Sequence, residues 1–297
     1  MTEKHFTHLH LHSEFSLLDG AISLDRLIEF GKKNNLKALA ITDHGNIFGA
    51  VKFFQKCKSA GIKPILGMEA YFTEDVSIKS VENKYHHLIL LVQNEIGYKN
   101  LCKLISFSYQ KGFYFKPRID YKILKEHSEG LIATTACLGG HIPTLLMQEN
   151  FQEAEKCIDW FIDIFGKDRF YFEIQPEDQA EQKTLNKILF ELGKKKNIEC
   201  VVTGDCHYVS EEDHDAHEIM LSIQTRNKLD DPNRYTFGEC RTFIRTKEQL
   251  LEEFKDHDVT VFDLVEHPTA ATYIGSVEDL SDCLAACESA PPGRAGP

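Results

Sequence analysis

"KALAITDHGNIFGAVKFFQKCKSAGIKPILGMEAYF" spans residues 37–72. It opens on a short apolar run, 37–44, that closes on Asp43, His44 and a glycine. A stretch with helical spacing of apolar residues follows over 47–61, and a second apolar run over 63–72. Strand, turn, helix and strand in that order form the repeating unit of an α/β protein with a largely parallel sheet. The same texture continues outward. Strand-like runs at 86–92, 130–137, 169–175 and 198–208 are joined by helical runs at 95–112, 151–166, 182–197 and 214–225. About seven strands in some 250 residues suit a sheet closed into a barrel better than an open one. There is no internal repeat and no strong linker before residue 255. From about Asp258 the alternation stops, and "APPGRAGP" (290–297) has the composition of a disordered tail. The expected organisation is one domain over 1–257 and an unrelated or disordered tail over 258–297. Within that tail, Cys283 and Cys287 lie four apart, a spacing that one helix face explains better than a metal or a disulfide.

Bulk composition narrows the function classes. The 297 residues are 42% hydrophobic and 27% charged, in keeping with a globular protein that has a real core. The formal net charge is −12. An acidic chain is a poor general binder of nucleic acid, whose affinity comes mainly from cations meeting phosphates. If the chain handles a phosphate ester, a local site must overcome that repulsion, and bound metal ions would do so. The N-terminus lacks the basic-then-apolar order of a signal peptide, and no apolar run reaches the roughly 20 residues that span a bilayer. Nine scattered cysteines without a CxxC pair read as reduced thiols, so a cytoplasmic location is expected.

Chemistry-bearing residues collect at strand ends. In "HFTHLHLHSEFSLLDG" (5–20), His8, His10 and His12 fall on every second residue. In an extended segment they share one face. Three imidazoles on one buried face repel when protonated, and a shared metal ion removes that cost. His44 ends the first strand. Glu69 is an ionisable group in an otherwise apolar strand and needs a partner there. His86 and His87 begin a strand, Cys137 ends one before two glycines, and Asp205 and His207 stand two apart on another. Each has an ordinary alternative: a hydrogen-bonded histidine, a capping aspartate, a small buried cysteine. Together they supply enough imidazole, carboxylate and thiol for two or three ions of the Zn, Mn or Fe kind at a barrel mouth. Multi-metal sites of that type hydrolyse phosphoesters. No GxxxxGK[ST] phosphate loop is present.

The stretches "HLHLHSEFSLLDG", "ALAITDHGNIFGAVKFFQKCKSAGIKPILGMEAY", "HHLILLVQNEIGYKNLCKLIS", "GFYFKPRID", "HSEGLIATTACLGG" and "TGDCHYVSEEDHDAHEIMLSIQT" resemble the PHP (polymerase and histidinol phosphatase) family. They resemble most the branch that opens the alpha subunits of bacterial replicative DNA polymerases, in register over about 5–255. The resemblance implies a distorted (β/α)7 barrel with a trinuclear metal centre at the C-terminal ends of its strands. It places metal ligands at His10, His12, Asp19, His44, Glu69, His87, Cys137, Asp205 and His207. His8 and His86 are then groups that neighbour the ligands. Asp205 and His207 are the expected catalytic groups, and Arg118 in "KPRID" is the expected phosphate contact. The implied activity is metal-dependent 3′–5′ exonuclease action on a DNA 3′ end, with the rest of a polymerase and a proofreading exonuclease subunit as partners. A non-catalytic docking module and a free-standing phosphatase of the histidinol phosphate type are the alternatives. The polymerase palm would lie well beyond the last residue here, so no polymerisation is expected of this chain, and no membrane partner is expected.

Overall fold

The computed structural model describes residues 6–255. In chain order the elements are α1 (Leu24–Lys33), β1 (Ala38–Ile41), α2 (Ala50–Ala60), β2 (Lys63–Thr73), β3 (His86–Val92), α3 (Glu95–Gln110), β4 (Phe113–Tyr114) and β5 (Lys116–Asp120). They continue with α4 (Tyr121–Glu126), β6 (Leu131–Thr134), α5 (His141–Met147), α6 (Phe151–Phe165), β7 (Phe170–Ile174), α7 (Ala180–Lys196), β8 (Cys200–Val202), α8 (His214–Thr225) and α9 (Lys247–Glu253). The tail beyond residue 257, with Cys283 and Cys287, lies outside the described residues. No helix among the described residues is long and apolar enough to cross a membrane.

Local chemistry sets the helix ends. The Ser23 hydroxyl caps α1 by accepting from the Arg26 N–H, and Lys32 and Lys33 sit in its last turn, where the helix dipole favours cations. α2 stops at Gly61 in the left-handed region (φ 70°), the common glycine C-cap. Asn94 caps α3 by accepting from Gly97 N–H.

The fold is mixed α/β with a curled sheet. Strand order is β4-β5-β2-β3-β6-β7-β8, with β1 also on β2. The long β2 carries β1 along its first half (Ala38↔Lys63 to Ile41↔Leu66) and β5 along its second (Tyr71↔Arg118 to Thr73↔Asp120). Parallel pairing holds for β1–β2, β2–β5, β6–β7 and β7–β8. It fails in the middle, where β3 runs antiparallel to both β2 and β6. The cause is the connection 74–85, which contains no helix. A strand reached without a crossover pairs antiparallel. This correction matters for the site. His86 and His87 begin β3, yet its reversed direction brings that start to the same end of the sheet as the C-terminal ends of its neighbours.

The strands are apolar on both faces and alternate between two clusters. Leu39, Ile41, Leu88, Leu90 and Val92 join the large core with helix residues such as Phe53, Leu101, Phe161 and Leu189. Ala38, Ala40, Ile65, Ile89, Leu91, Ile132 and Val201 form a smaller cluster on the opposite face. Residues 10–12 tie the two sides of the curl together. Cys206 N donates to His10 O (3.1 Å), His12 N to Cys206 O (2.8 Å) and Thr42 N to Leu11 O (2.8 Å).

Candidate metal centre

Nine side chains reach one cleft. His10 and His12 come from the N-terminal stretch, Asp19 from the turn after it, and His44 from the loop beyond β1. Glu69 stands inside β2, His87 near the start of β3, and Cys137 just past β6. Asp205 and His207 lie past β8. Glu69 is the hub, only 1% exposed. Its Oε2 lies 3.3 Å from His10 Nε2, 3.0 Å from His12 Nε2 and 3.0 Å from His44 Nδ1, and its Oε1 lies 2.7 Å from His87 Nδ1. Asp205 Oδ1 lies 3.0 Å from His10 Nε2 and 3.2 Å from His12 Nε2. Asp19 Oδ2 is 2.7 Å from His44 Nε2 and 3.6 Å from His207 Nε2. Cys137 Sγ is 3.4 Å from His87 Nδ1. His12 is stacked between His44 (4.2 Å) and His207 (4.4 Å).

These atoms are close together but unsatisfied. His10 Nε2, His12 Nε2, His44 Nδ1, both Glu69 oxygens and Asp205 Oδ1 are buried and make no hydrogen bond. Buried polar atoms are ordinarily bonded, because leaving them bare costs about 1–3 kcal/mol each. Six in one place therefore call for a shared partner. The chemistry of the set fits a divalent cation, and three groupings have ligand atoms within 4.8 Å of one another: His12/His44/His207, His10/His12/Glu69/Asp205 and His44/Glu69/His87.

Neighbouring groups fix the imidazole tautomers in the same sense. His10 Nδ1 lies 2.7 Å from Glu173 Oε1 and donates to that carboxylate. The Ser16 hydroxyl donates to Asp43 Oδ1 (2.8 Å), so at 3.0 Å it accepts from His12 Nδ1. His207 Nδ1 donates to the Asp205 carbonyl (2.8 Å). In all three rings Nδ1 is committed as a donor, which leaves Nε2 as the position where a metal ion would take the place of a second proton.

Electrostatics couple the two residue types. Burial alone would lower the basicity of His10 and His44. Asp205, Glu173 and Glu69 outweigh it at His10, which is raised well above the usual range, and Glu69 with Asp19 raises His44 to about 10. Reciprocally, against the opposing effect of burial, the histidines hold Glu69, Asp19 and Asp205 below the usual carboxylate range. Burial, with Asp205 and Glu69, pushes the Cys137 thiol well up. The cleft thus concentrates negative charge that protons or metal ions compete to neutralise.

Backbone strain gathers here too. Asp205 itself (φ 45°), Leu18 beside Asp19 (φ 61°) and Ala136 beside Cys137 (φ 58°) occupy the left-handed region. Such conformations in non-glycine residues persist where surrounding structure enforces them, often at functional sites. Gly45 (φ 63°) meets the same demand after His44, where an added Cβ would lie 2.9 Å from Pro117.

Three expected residues are placed elsewhere. His8 does not share the face of His10 and His12, because the chain bends at residues 9–10 and breaks the extended alternation. Its Nε2 bonds the Arg245 carbonyl at 2.8 Å. His86 points to the other face of β3 and stacks on His141 at 4.6 Å. Arg118 does not reach the cleft as a phosphate contact. It is fully buried and spends its guanidinium on the carbonyls of Gly112, Val76 and Ile78 while lying over Tyr114. Conversely, sequence reasoning misses Glu173. It is a charged residue in the apolar run "RFYFEIQ", the same signal that marks Glu69. Ser16 and Asp43, which orient His12, carry no such mark.

The amino-acid sequence has relatives among known proteins. The chain belongs to the PHP domain family, whose sequence profile matches residues 8–177. Its relatives are DNA polymerase III alpha subunits. It is 43% identical over 255 residues to that of Borreliella burgdorferi, 44% over 252 to that of Thermus aquaticus and 45% over 236 to that of Aquifex aeolicus. These alignments cover 84%, 82% and 76% of this chain but 22%, 21% and 20% of the relatives. The chain thus spans about a fifth of the length of the curated relatives it matches.

Proposed function

We propose that this PHP domain is a metal-dependent phosphoesterase that removes nucleotides from a DNA 3′ end as part of a bacterial replicative polymerase. The observation that carries the reading is the set of six buried, unsatisfied ligand atoms, with three imidazoles held so that Nε2 is bare. His10, His12, Asp19, His44, Glu69, His87, Cys137, Asp205 and His207 would hold two or three divalent ions of the Zn, Mn or Fe kind. The N-terminal stretch takes the place of a closing strand in a barrel of the PHP type. When bound, such ions supply an ionised water and Lewis acidity for the phosphate oxygens.

The chain's own residues do the rest. Glu173, Ser16 and the Asp205 carbonyl keep the imidazoles in one tautomer. Asp205 and Glu69 gather charge where cations must sit together, and Asp205 and His207 face the cavity where a phosphate would lie. The remainder of the polymerase and a proofreading exonuclease subunit are the proposed partners. The deciding experiment incubates purified protein with Mn²⁺ or Zn²⁺ and a 5′-labelled single strand. A ladder of shortened products, abolished by chelator, is the expected result. No cleavage with brisk turnover of histidinol phosphate would replace DNA by a small ester. No turnover of either, with metals bound, would leave a docking module.

A further inference from the structure

The cavity above the ligand cluster measures about 680 Å³, and its walls hold more than a small ester needs. Two aromatic series climb from the ligand rings towards solvent. On one side His44 stacks on Tyr71 (5.7 Å, 12°), Tyr71 meets Tyr85 edge to face (5.0 Å), and Tyr85 is 38% exposed. On the other, His207 meets Phe237 edge to face (5.1 Å), Phe237 meets Tyr235 (5.8 Å), and Tyr235 is 53% exposed. The second series is held in place through α8, where Glu218 accepts from Thr236 Oγ1 (2.7 Å) and pairs with Arg234. Lys116 also lines the cavity, with its ammonium 5.1 Å above the Tyr71 ring. Among the described residues no carboxylate pairs with it.

We propose that the two aromatic series form a base-stacking channel that admits an unpaired nucleic-acid strand end, with Lys116 as the contact for a backbone phosphate. The inference rests on the phosphodiesterase reading of the same cleft for its choice of ligand. Every base has a π face, so aromatic walls grip a strand without reading its sequence. A terminal nucleotide must leave its helix to lie between them. That costs unpairing and unstacking for a matched end and little for a mismatched or single-stranded one, so the channel selects unpaired ends. Stacking also suits the charge balance. A chain of net charge −12 gains little from general attraction to phosphate, and one unpaired ammonium at the wall adds a local contact.

The test reads binding apart from cutting. The probe is a 5′-fluorescein oligothymidylate with phosphorothioate linkages at its 3′ end, titrated with full-length protein in Mn²⁺ and followed by anisotropy. The same strand is also presented in a blunt duplex. The unpaired strand should bind roughly tenfold tighter than the duplex. Tyr85→Ala and Tyr235→Ala should each weaken it about tenfold, while Tyr85→Phe and Tyr235→Phe, which keep the ring, restore it. Circular dichroism checks that each variant folds. Equal affinity for the two probes, or alanine variants that bind like the parent, would overturn the channel. A protein that shows this binding pattern but leaves ordinary DNA intact keeps the channel and loses the hydrolytic reading. One that cuts DNA without preferring unpaired ends does the reverse.

Discussion

Adjacent residues of β3 enter two buried networks with nearly the same ingredients. His87 joins Glu69 and Cys137 in the candidate metal centre. His86, on the opposite face, stacks on His141, whose Nδ1 lies 3.0 Å from the Tyr121 hydroxyl and 3.6 Å from Cys157 Sγ. Both networks have two or more imidazoles and a thiol. They behave oppositely. Burial lowers His86 to about 4 and also lowers His141, whereas carboxylates raise His10 and His44 against the same burial. The His86 network leaves no buried polar atom unbonded among the described residues, and the centre leaves six. In this chain the difference between the networks lies in the carboxylates: where Glu69 and Asp205 face the imidazoles, lone pairs stay unsatisfied, and where no carboxylate enters, none do.

Substituting the hub tests that contrast most severely. Glu69→Gln keeps the size of the side chain but removes the charge that faces four imidazoles. Phosphodiester turnover should fall about a hundredfold or more, with fewer ions bound and an unchanged circular dichroism spectrum. An unaltered metal content by mass spectrometry would mean that Glu69 is not a ligand.

Arg118 belongs with the satisfied groups. Arg118→Ala strands the carbonyls of Gly112, Val76 and Ile78, so stability in denaturant should drop by about 3 kcal/mol. A variant as stable as the parent but with a raised KM would restore Arg118 as a phosphate contact.

His8 gives a smaller effect with a definite sign. Burial holds it neutral to about 4, below its ordinary 6.5. Between those values the unfolded chain binds a proton that the folded chain refuses, so this contribution is present above pH 6.5 and is lost as pH falls towards 4. From pH 7 to 5 the parent should lose up to about 2 kcal/mol more than His8→Gln, measured by urea unfolding at both values. Equal losses would show that His8 is protonated in place.

The paired cysteines separate the networks with the least perturbation. Cys157→Ala should cost about 1 kcal/mol and leave metal content and turnover at parental values. Cys137→Ala should lower metal content at little cost in stability. Identical metal content in the two variants would erase the difference between the networks.

Much of the centre is legible in the amino-acid sequence. Short apolar runs with an ionisable residue inside or at the end point to His44, Glu69, His87, Cys137, Asp205 and His207, because a charge in a buried strand needs a reason. Helix positions follow the 3.6-residue period closely, as for α8 at 214–225. Asp19 is not visible in that way. It stands in a polar turn, and only family resemblance singles it out.

What the amino-acid sequence determined by itself is local: strands, helices, their caps, and the misfit ionisable groups that a core tolerates only with partners. The tertiary structure decided direction and facing. The reversed β3 brings the start of a strand to the ends of its neighbours, the bend at residues 9–10 parts His8 from His10, and backbone carbonyls claim Arg118. Periodicity records which residues are buried, since burial follows side-chain chemistry. It does not record which buried atoms meet, because that depends on contacts between segments more than a hundred residues apart, such as His10 with Asp205.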